Sequence, residues 1–302
     1  MAAGRRRFLV AVSVVAVVAA LLGLRAAELA VPAETVVSEV VAHPQSVQRI
    51  AYGDAPDTFG DLYLPPTANT RLPVVVLIHG GGWTQGRTLA QFDAHARALA
   101  RDGVAVWNVE YRRVGGGGGW PVTLTDVDDA VTALADTVAP RVGNLLDLQR
   151  VHLAGHSAGG QLAAWVAGRW SAHPPRHPEI RIRSLTLMAA VLDLDAAVTD
   201  NRDSFVPKLL GGTPGQVPDR YRDASPIHQL PAPAIRVTAL HGANDRVVVP
   251  SQSTRFVEAL ARAGTIADLQ ILRGTGHGEF ADPTSPAWTT AHRTILTYTT
   301  TD

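Results

Sequence analysis

Residues 151 to 165 read VHLAGHSAGGQLAAW. An apolar strand-like run leads into Gly155-His156-Ser157-Ala158-Gly159-Gly160, and a helix-forming run follows. A chain can turn from a strand into a helix this sharply only where the flanking side chains are small. Gly155, Ala158, Gly159 and Gly160 meet that condition. The segment therefore constrains the fold to one in which a strand hands over to a helix at one edge of a sheet. Ser157 stands at the junction, either as a nucleophile or as a small residue in a tight turn. The pentapeptide alone does not decide, because glycine is abundant in this chain.

The surrounding pattern extends the constraint. PVVVLIHG, Pro73 to Gly80, is a continuous run of β-branched and aliphatic residues, as expected of a strand covered on both faces. TLAQFDAHARALARDG has helical spacing, with Phe92, Ala96, Leu99 and Ala100 on one face and Gly103 as a stop. VAVWNVEY reads as a strand, VGGGGGWP as a flexible loop, and TLTDVDDAVTALADTVAP as a helix closed by Pro140. RSLTLMAAV, AIRVTALHG and ADLQILRG read as strands, and PSQSTRFVEALARAG and SPAWTTAHRTILTYT as helices. QRIAYG and TFGDLYLPP form an antiparallel opening hairpin. Residues 193–233 are an irregular, proline-containing, cap-like insert with room for one short helix. Strand–helix alternation of this kind predicts one α/β domain over residues 35–302. Its central sheet is mostly parallel, with helices on both faces.

Composition narrows the function. The chain has 302 residues, 46% of them hydrophobic and 18% charged, which suits a folded globular protein. Acidic and basic residues balance at 27 each, so no nucleic-acid partner is implied. There is no cysteine, which excludes disulfides, thiolate catalysis and cysteine metal sites. Residues 1–34 stand apart: Arg5, Arg6 and Arg7 precede an uncharged apolar run from Phe8 to Leu24. A basic flank before an apolar stretch is the pattern of an export signal, cleaved or retained as a membrane anchor. RRRFL is also similar to the twin-arginine signature, with Gly4 where a Ser or Thr is usual. An exported protein, secreted or held at the cell envelope, is the expectation.

Ser157 needs an oxyanion hole and a base. HGGGW, His79 to Trp83, directly follows the buried strand. Glycines there let backbone N–H groups approach a substrate oxygen, so the expected donors are Gly81 or Gly82 together with Ala158, the residue after the nucleophile. HGGGW, YRR, GHSAGG, HGANDRVV and GTGH occur in this order. In that order the chain resembles the α/β-hydrolase superfamily, in its HGGG-type esterase and lipase branch, over residues 48 to 300. It is similar to bacterial carboxylesterases, to acetyl-xylan and feruloyl esterases and to kynurenine formamidase-like enzymes. The resemblance implies the α/β-hydrolase fold and a triad in the order Ser, acid, His. Asp245, in a loop after TALHG, then takes the acid's place, and His277, in a loop after LQILRG, the base's.

Competing residues have other readings. Asp193 and Asp195 also follow a strand, but one strand too early for the acid. Glu279 is too near His277 in sequence to orient it. His79, His156 and His241 flank motifs as structural or subsite residues. His173 and His177 have ligand-like spacing but lie among prolines, as in a surface loop, and no H-E-x-x-H occurs. Asp126, Asp128 and Asp129 are expected to cap or solvate a helix. Tyr111 and Arg112 are similar to a family position that supports the oxyanion loop, with a solvated role as the alternative. Trp83 and Trp120 fit either a substrate pocket or the core, and Gly115 to Gly119 either a mobile rim or a tolerant loop.

The expected activity is hydrolysis of a small-molecule carboxylic ester through an acyl-enzyme, with no metal or organic cofactor implied. Alternatives with the same triad are a formamidase, a peptidase or an acyltransferase. A hydrolase fold retained as a binding module is the reading from another class, and such modules usually lack a triad member.

Overall fold

The structure is a computed structural model that describes residues 47–66, 70–200 and 203–300. The expected N-terminal signal or anchor lies outside the described residues. Among the described residues no helix is long and apolar enough to cross a membrane.

The apolar runs form the middle of an eight-stranded sheet. Its strands are β1 (Val47–Ala51), β2 (Phe59–Tyr63), β3 (Leu72–Ile78), β4 (Ala105–Val109), β5 (Leu146–His156), β6 (Ile182–Met188), β7 (Arg236–Gly242) and β8 (Ala267–Leu272). They lie in the order β1-β2-β4-β3-β5-β6-β7-β8. The β1–β2 and β2–β4 pairs are antiparallel, and every other pair is parallel. The opening hairpin and the mostly parallel sheet are thus as the sequence predicts.

All residues of β3 are buried because both faces of the sheet are covered. Val74, Val76 and Ile78 point into one core with Trp107, Leu124, Val127, Leu162, Val166, Phe256 and Leu260. Val75 and Leu77 point into the other with Phe92, Ala96, Leu99, Trp288 and Ile295. Helices α1 (Asp93–Arg101) and α8 (Pro286–Thr300) cover the second face. Helices α2 (Val122–Ala133), α3 (Ala158–Ala172) and α7 (Ser251–Arg262) cover the first. Each fully buried Val, Leu or Ile contributes roughly 1.5–3 kcal/mol, so the alternation along β3 alone commits the chain to two covering layers.

The prolines depart from expectation. Among its described residues the insert holds three short α-helices rather than one, α4 (Leu194–Thr199), α5 (Val206–Leu210) and α6 (Pro218–Ala224), followed by a 3₁₀ turn at Pro226–His228. Pro207 and Pro218 stand in the first turns of α5 and α6, where a missing N–H costs nothing because that position has no intrahelical acceptor. Pro140 likewise does not close α2. The helix passes into a wider π-type stretch over Leu134–Val138, and Pro140 lies in the short helical turn that follows. The VGGGGGWP loop is built into the fold rather than loose. Gly118 N–H donates to the Arg113 carbonyl at 3.0 Å, and a Cβ on Gly118 would stand 2.2 Å from the Arg112 carbonyl oxygen.

The handover from β5 to α3 rests on close backbone approach. A Cβ on Gly159 would lie 2.2 Å from the Ile78 carbonyl oxygen and 2.4 Å from that of His79. One on Gly155 would lie 2.3 Å from the Gly159 carbonyl oxygen. Gly159→Ala is therefore expected to lower the unfolding free energy by about 2–3 kcal/mol in a urea titration. Gly86→Ala, where an added Cβ meets nothing within 4 Å, should stay within about 0.5 kcal/mol of the parent.

Candidate active site

Ser157 is the single residue between β5 and α3. It adopts φ +54° and ψ −118°, a conformation that costs a non-glycine residue roughly 1–3 kcal/mol. Its N–H donates to the Met188 carbonyl at 2.8 Å, which anchors the turn to the end of β6. The turn directs the side chain out of the sheet's edge, as open α/β sheets present their ligand-binding groups.

Three residues far apart in sequence meet there. Ser157 Oγ lies 3.0 Å from His277 Nε2, and His277 Nδ1 lies 2.7 Å from Asp245 Oδ2. The carboxylate accepts a hydrogen bond from Nδ1–H, which leaves the Nε2 lone pair to accept from the serine hydroxyl. Asp245 lies in the loop after β7 and is fully covered by protein. Its Oδ1 accepts from the N–H groups of Val247 and Val248, each at 2.9 Å. His241 Nε2 stands 3.4 Å from Oδ2. Burial alone would raise the Asp245 pKa. The hydrogen bonds from His241 and His277 outweigh it and hold the carboxyl well below the usual range. The stability this carboxylate contributes is therefore whole above about pH 4 and fades as pH falls through the lowered folded value.

The HGGGW loop lies beside the serine. Gly81, Gly82 and Trp83 all have positive φ, at 118°, 61° and 55°. Among the described hydrogen bonds none uses the N–H of Gly81, Gly82 or Ala158. Ala158 opens α3, so its N–H is one of the free donors at a helix start. Gly81, Gly82, Ser157, His156 and His277 line one cleft of about 810 Å³. Arg87, Gln91, Val191, Phe205 and Val248 extend its walls.

A buried polar network that sequence reasoning missed holds this loop. Glu110, immediately after β4, accepts from His79 Nε2 at 2.8 Å, from Tyr111 N–H at 3.1 Å and from Leu89 N–H at 3.0 Å. Arg113 reaches Glu110 at 3.1 Å and Asp57 at 2.8 Å, and also donates to the Arg87 carbonyl. Tyr111 takes the supporting role: its hydroxyl donates to the His79 carbonyl at 2.8 Å, and its ring stacks on His79 at 4.4 Å. Gln91 accepts from Gly80 N–H at 3.1 Å, and Gln161 from Trp83 Nε1 at 3.0 Å. The one signal in the sequence was an acid set between a buried strand and two arginines.

The remaining expectations sort by contact. Trp83 belongs to the core as well as to the cleft floor. Trp120 packs partly buried against the core and does not line the cleft. Asp193 caps α4 through Ala196 N–H at 3.0 Å. Glu279 accepts from Gly276 N–H at 2.9 Å and so shapes the His277 loop without orienting its ring. Asp126 is buried rather than solvated and takes Arg112 through both oxygens, at 2.9 and 2.6 Å. Arg112 thus serves α2, not the oxyanion loop. His177 lies in a surface loop beside Asp136 and Glu179.

Glu110→Ala leaves Arg113 and His79 without their shared carboxylate. Unfolding free energy is expected to fall by about 3–5 kcal/mol, as when one partner of a buried ion pair is removed. Glu179→Ala, at a surface pair, should change it by less than about 1 kcal/mol in the same denaturant titration.

The chain is similar to known proteins over most of its length. The sequence profile of the BD-FAE family matches residues 60–260. Esterase LipC of Mycobacterium tuberculosis is 32% identical over 244 residues, covering 76% of this chain and 59% of that protein. The chain thus spans about three-fifths of the length of that relative. Kynurenine formamidase of Danio rerio is 25% identical, covering 77% of this chain and 75% of that protein. Among solved structures, a truncated carbohydrate esterase from gut microbiota superposes with a TM-score of 0.73 at 20% identity, covering 87% of this chain and 99% of that one. That likeness shows the shared fold. With the profile matching two-thirds of its residues, the chain belongs to the BD-FAE family and has the α/β-hydrolase fold.

Proposed function

We propose that this chain is a serine hydrolase that cleaves carboxylic esters of small molecules through an acyl-enzyme. One observation carries the reading: Ser157, His277 and Asp245 are linked by contacts of 3.0 and 2.7 Å at a strained strand-to-helix turn, beside an oxyanion loop. The esterase relatives support it.

The chemistry follows from the atoms. Ser157 Oγ attacks the ester carbonyl as its proton passes to His277 Nε2. Negative charge develops on the carbonyl oxygen, where the N–H groups of Ala158 and of Gly81 or Gly82 stabilise it. Asp245 keeps the Nδ1 proton in place and stabilises the imidazolium. His277 then gives its proton to the departing alcohol, and water activated by the same imidazole releases the acid.

The N-terminal segment supports export, because Arg5 to Arg7 precede the apolar run. N-terminal sequencing of the protein recovered from cells distinguishes a removed signal from a retained anchor. A second reading, amide hydrolysis, is favoured by the formamidase relative. Comparing p-nitrophenyl esters with an N-formyl substrate separates the two.

Ser157→Ala is expected to abolish hydrolysis of p-nitrophenyl acetate and labelling by a fluorophosphonate, with its Tm unchanged. Near-parental activity in that variant overturns the assignment, and absence of labelling in the parent points to a binding module. Asp245→Asn, which permits the wrong His277 tautomer, should lower kcat by roughly 10³–10⁴.

A further inference from the structure

His156 immediately precedes Ser157 and takes no part in the acyl transfer just described. It is buried, and its Nε2 lies 3.0 Å from the backbone carbonyl oxygen of His277. Its Nδ1 is buried without a hydrogen-bond partner. A carbonyl can only accept, so the proton sits on Nε2 and points at His277. The two rings lie 4.7 Å apart, with Phe280 at 6.1 Å and Phe92 at 6.4 Å from His156. On the other side the packing is as close: a Cβ on Gly80 would stand 2.9 Å from His156 Nδ1. Burial, helped by the neighbouring His277, holds the His156 pKa down at about 3. It therefore stays neutral at working pH and does not compete with His277 for the serine's proton.

This contact answers a geometric need. His277 lies in the connection between β8 and α8, at the start of the short 3₁₀ turn Gly278–Ala281. Its ring is oriented by Asp245, but that bond does not fix the backbone that carries the ring. Glu279 braces the loop from within at Gly276. His156 braces it from outside, from the last position of β5, one residue before Ser157.

We propose that His156 is a positioning residue: its Nε2–H ties the His277 backbone to β5 and so keeps the base within reach of the Ser157 hydroxyl. The proposal rests on Ser157 and His277 being the nucleophile and base.

The test compares two side chains of nearly equal shape, one with an N–H donor and one without. His156→Met should lower kcat for p-nitrophenyl acetate by roughly 10- to 100-fold, the cost of about 1 Å of misplacement, with KM little changed. His156→Gln, which restores a donor, should recover most of kcat. Wild-type kcat in His156→Met overturns the proposal, and so does equal loss in both variants, which would assign the effect to packing. If His156→Met does not fold, His156→Leu takes its place. Failure of both to fold while His156→Gln folds also overturns the proposal, in favour of a structural role. Ser157→Ala and His277→Ala are measured alongside. Activity in either refutes the underlying triad, whereas an active His156→Met beside two inactive controls refutes only the role given to His156.

Discussion

The site depends on one steric fact: α3 begins almost in contact with the end of β3. Gly159 approaches the carbonyl oxygens of Ile78 and His79 so closely that a single methyl group would not fit. That approach places Ser157 beside the HGGGW loop, and it forces the serine's backbone to φ +54°. The strain, roughly 1–3 kcal/mol, is small beside the burial of the β3 and β5 side chains on both faces of the sheet. A turn with larger side chains would relax by moving α3 away. Ser157 would then part from the HGGGW loop.

Preorganisation of the oxyanion loop has a second source. Three successive residues with positive φ do not hold their shape by local preference alone. Here the loop is tied at the His79 ring and carbonyl, the Gly80 amide, the Trp83 indole, the Arg87 carbonyl and the Leu89 amide. Most of these ties end on the Glu110–Arg113 pair or its neighbour Tyr111. In the proposed acyl transfer, dipoles fixed in this way would not need to reorganise as charge develops. The same buried charges would be a liability if left unpaired, and each of them has a partner of opposite sign.

What could be read from the sequence followed the range of the physics involved. The strands, the elbow, the glycine loop and the chain order of Ser157, Asp245 and His277 are carried by local patterns. So are the hydrophobic periods that place them on one sheet. Pro140, Pro207 and Pro218 misled because proline ends a helix in its interior yet suits its first turn. Which of the two applies depends on neighbours beyond the local window. Glu110 and Asp126 were not read as buried, because burial of an acid depends on partners brought by tertiary packing: Arg112 for Asp126, and His79 and the Leu89 amide for Glu110, whose local partner Arg113 does not by itself bury it. The role of Arg112, fixed by Asp126 on α2, was illegible for the same reason.

Sheet order then explains how Ser157 and His277, 120 residues apart, come together. The oxyanion loop leaves β3, Ser157 leaves β5, Asp245 leaves β7 and His277 leaves β8, each at a strand's C-terminal end. Parallel pairing sets those ends in one row, and the β7–β8 register brings Gly242 opposite Leu272. Beyond that pair, Ala243 N–H donates to Leu272 and Asn244 N–H to Thr275, each at 2.9 Å, so the acid's loop and the base's loop run on together. Gly242 has no side chain to hold them apart: a Cβ there would stand 2.4 Å from the Thr275 carbonyl oxygen. Backbone contact thus sets the Asp245–His277 distance. The gap that remains, from β8 back across β7 and β6 to β5, is the one His156 bridges from beside Ser157.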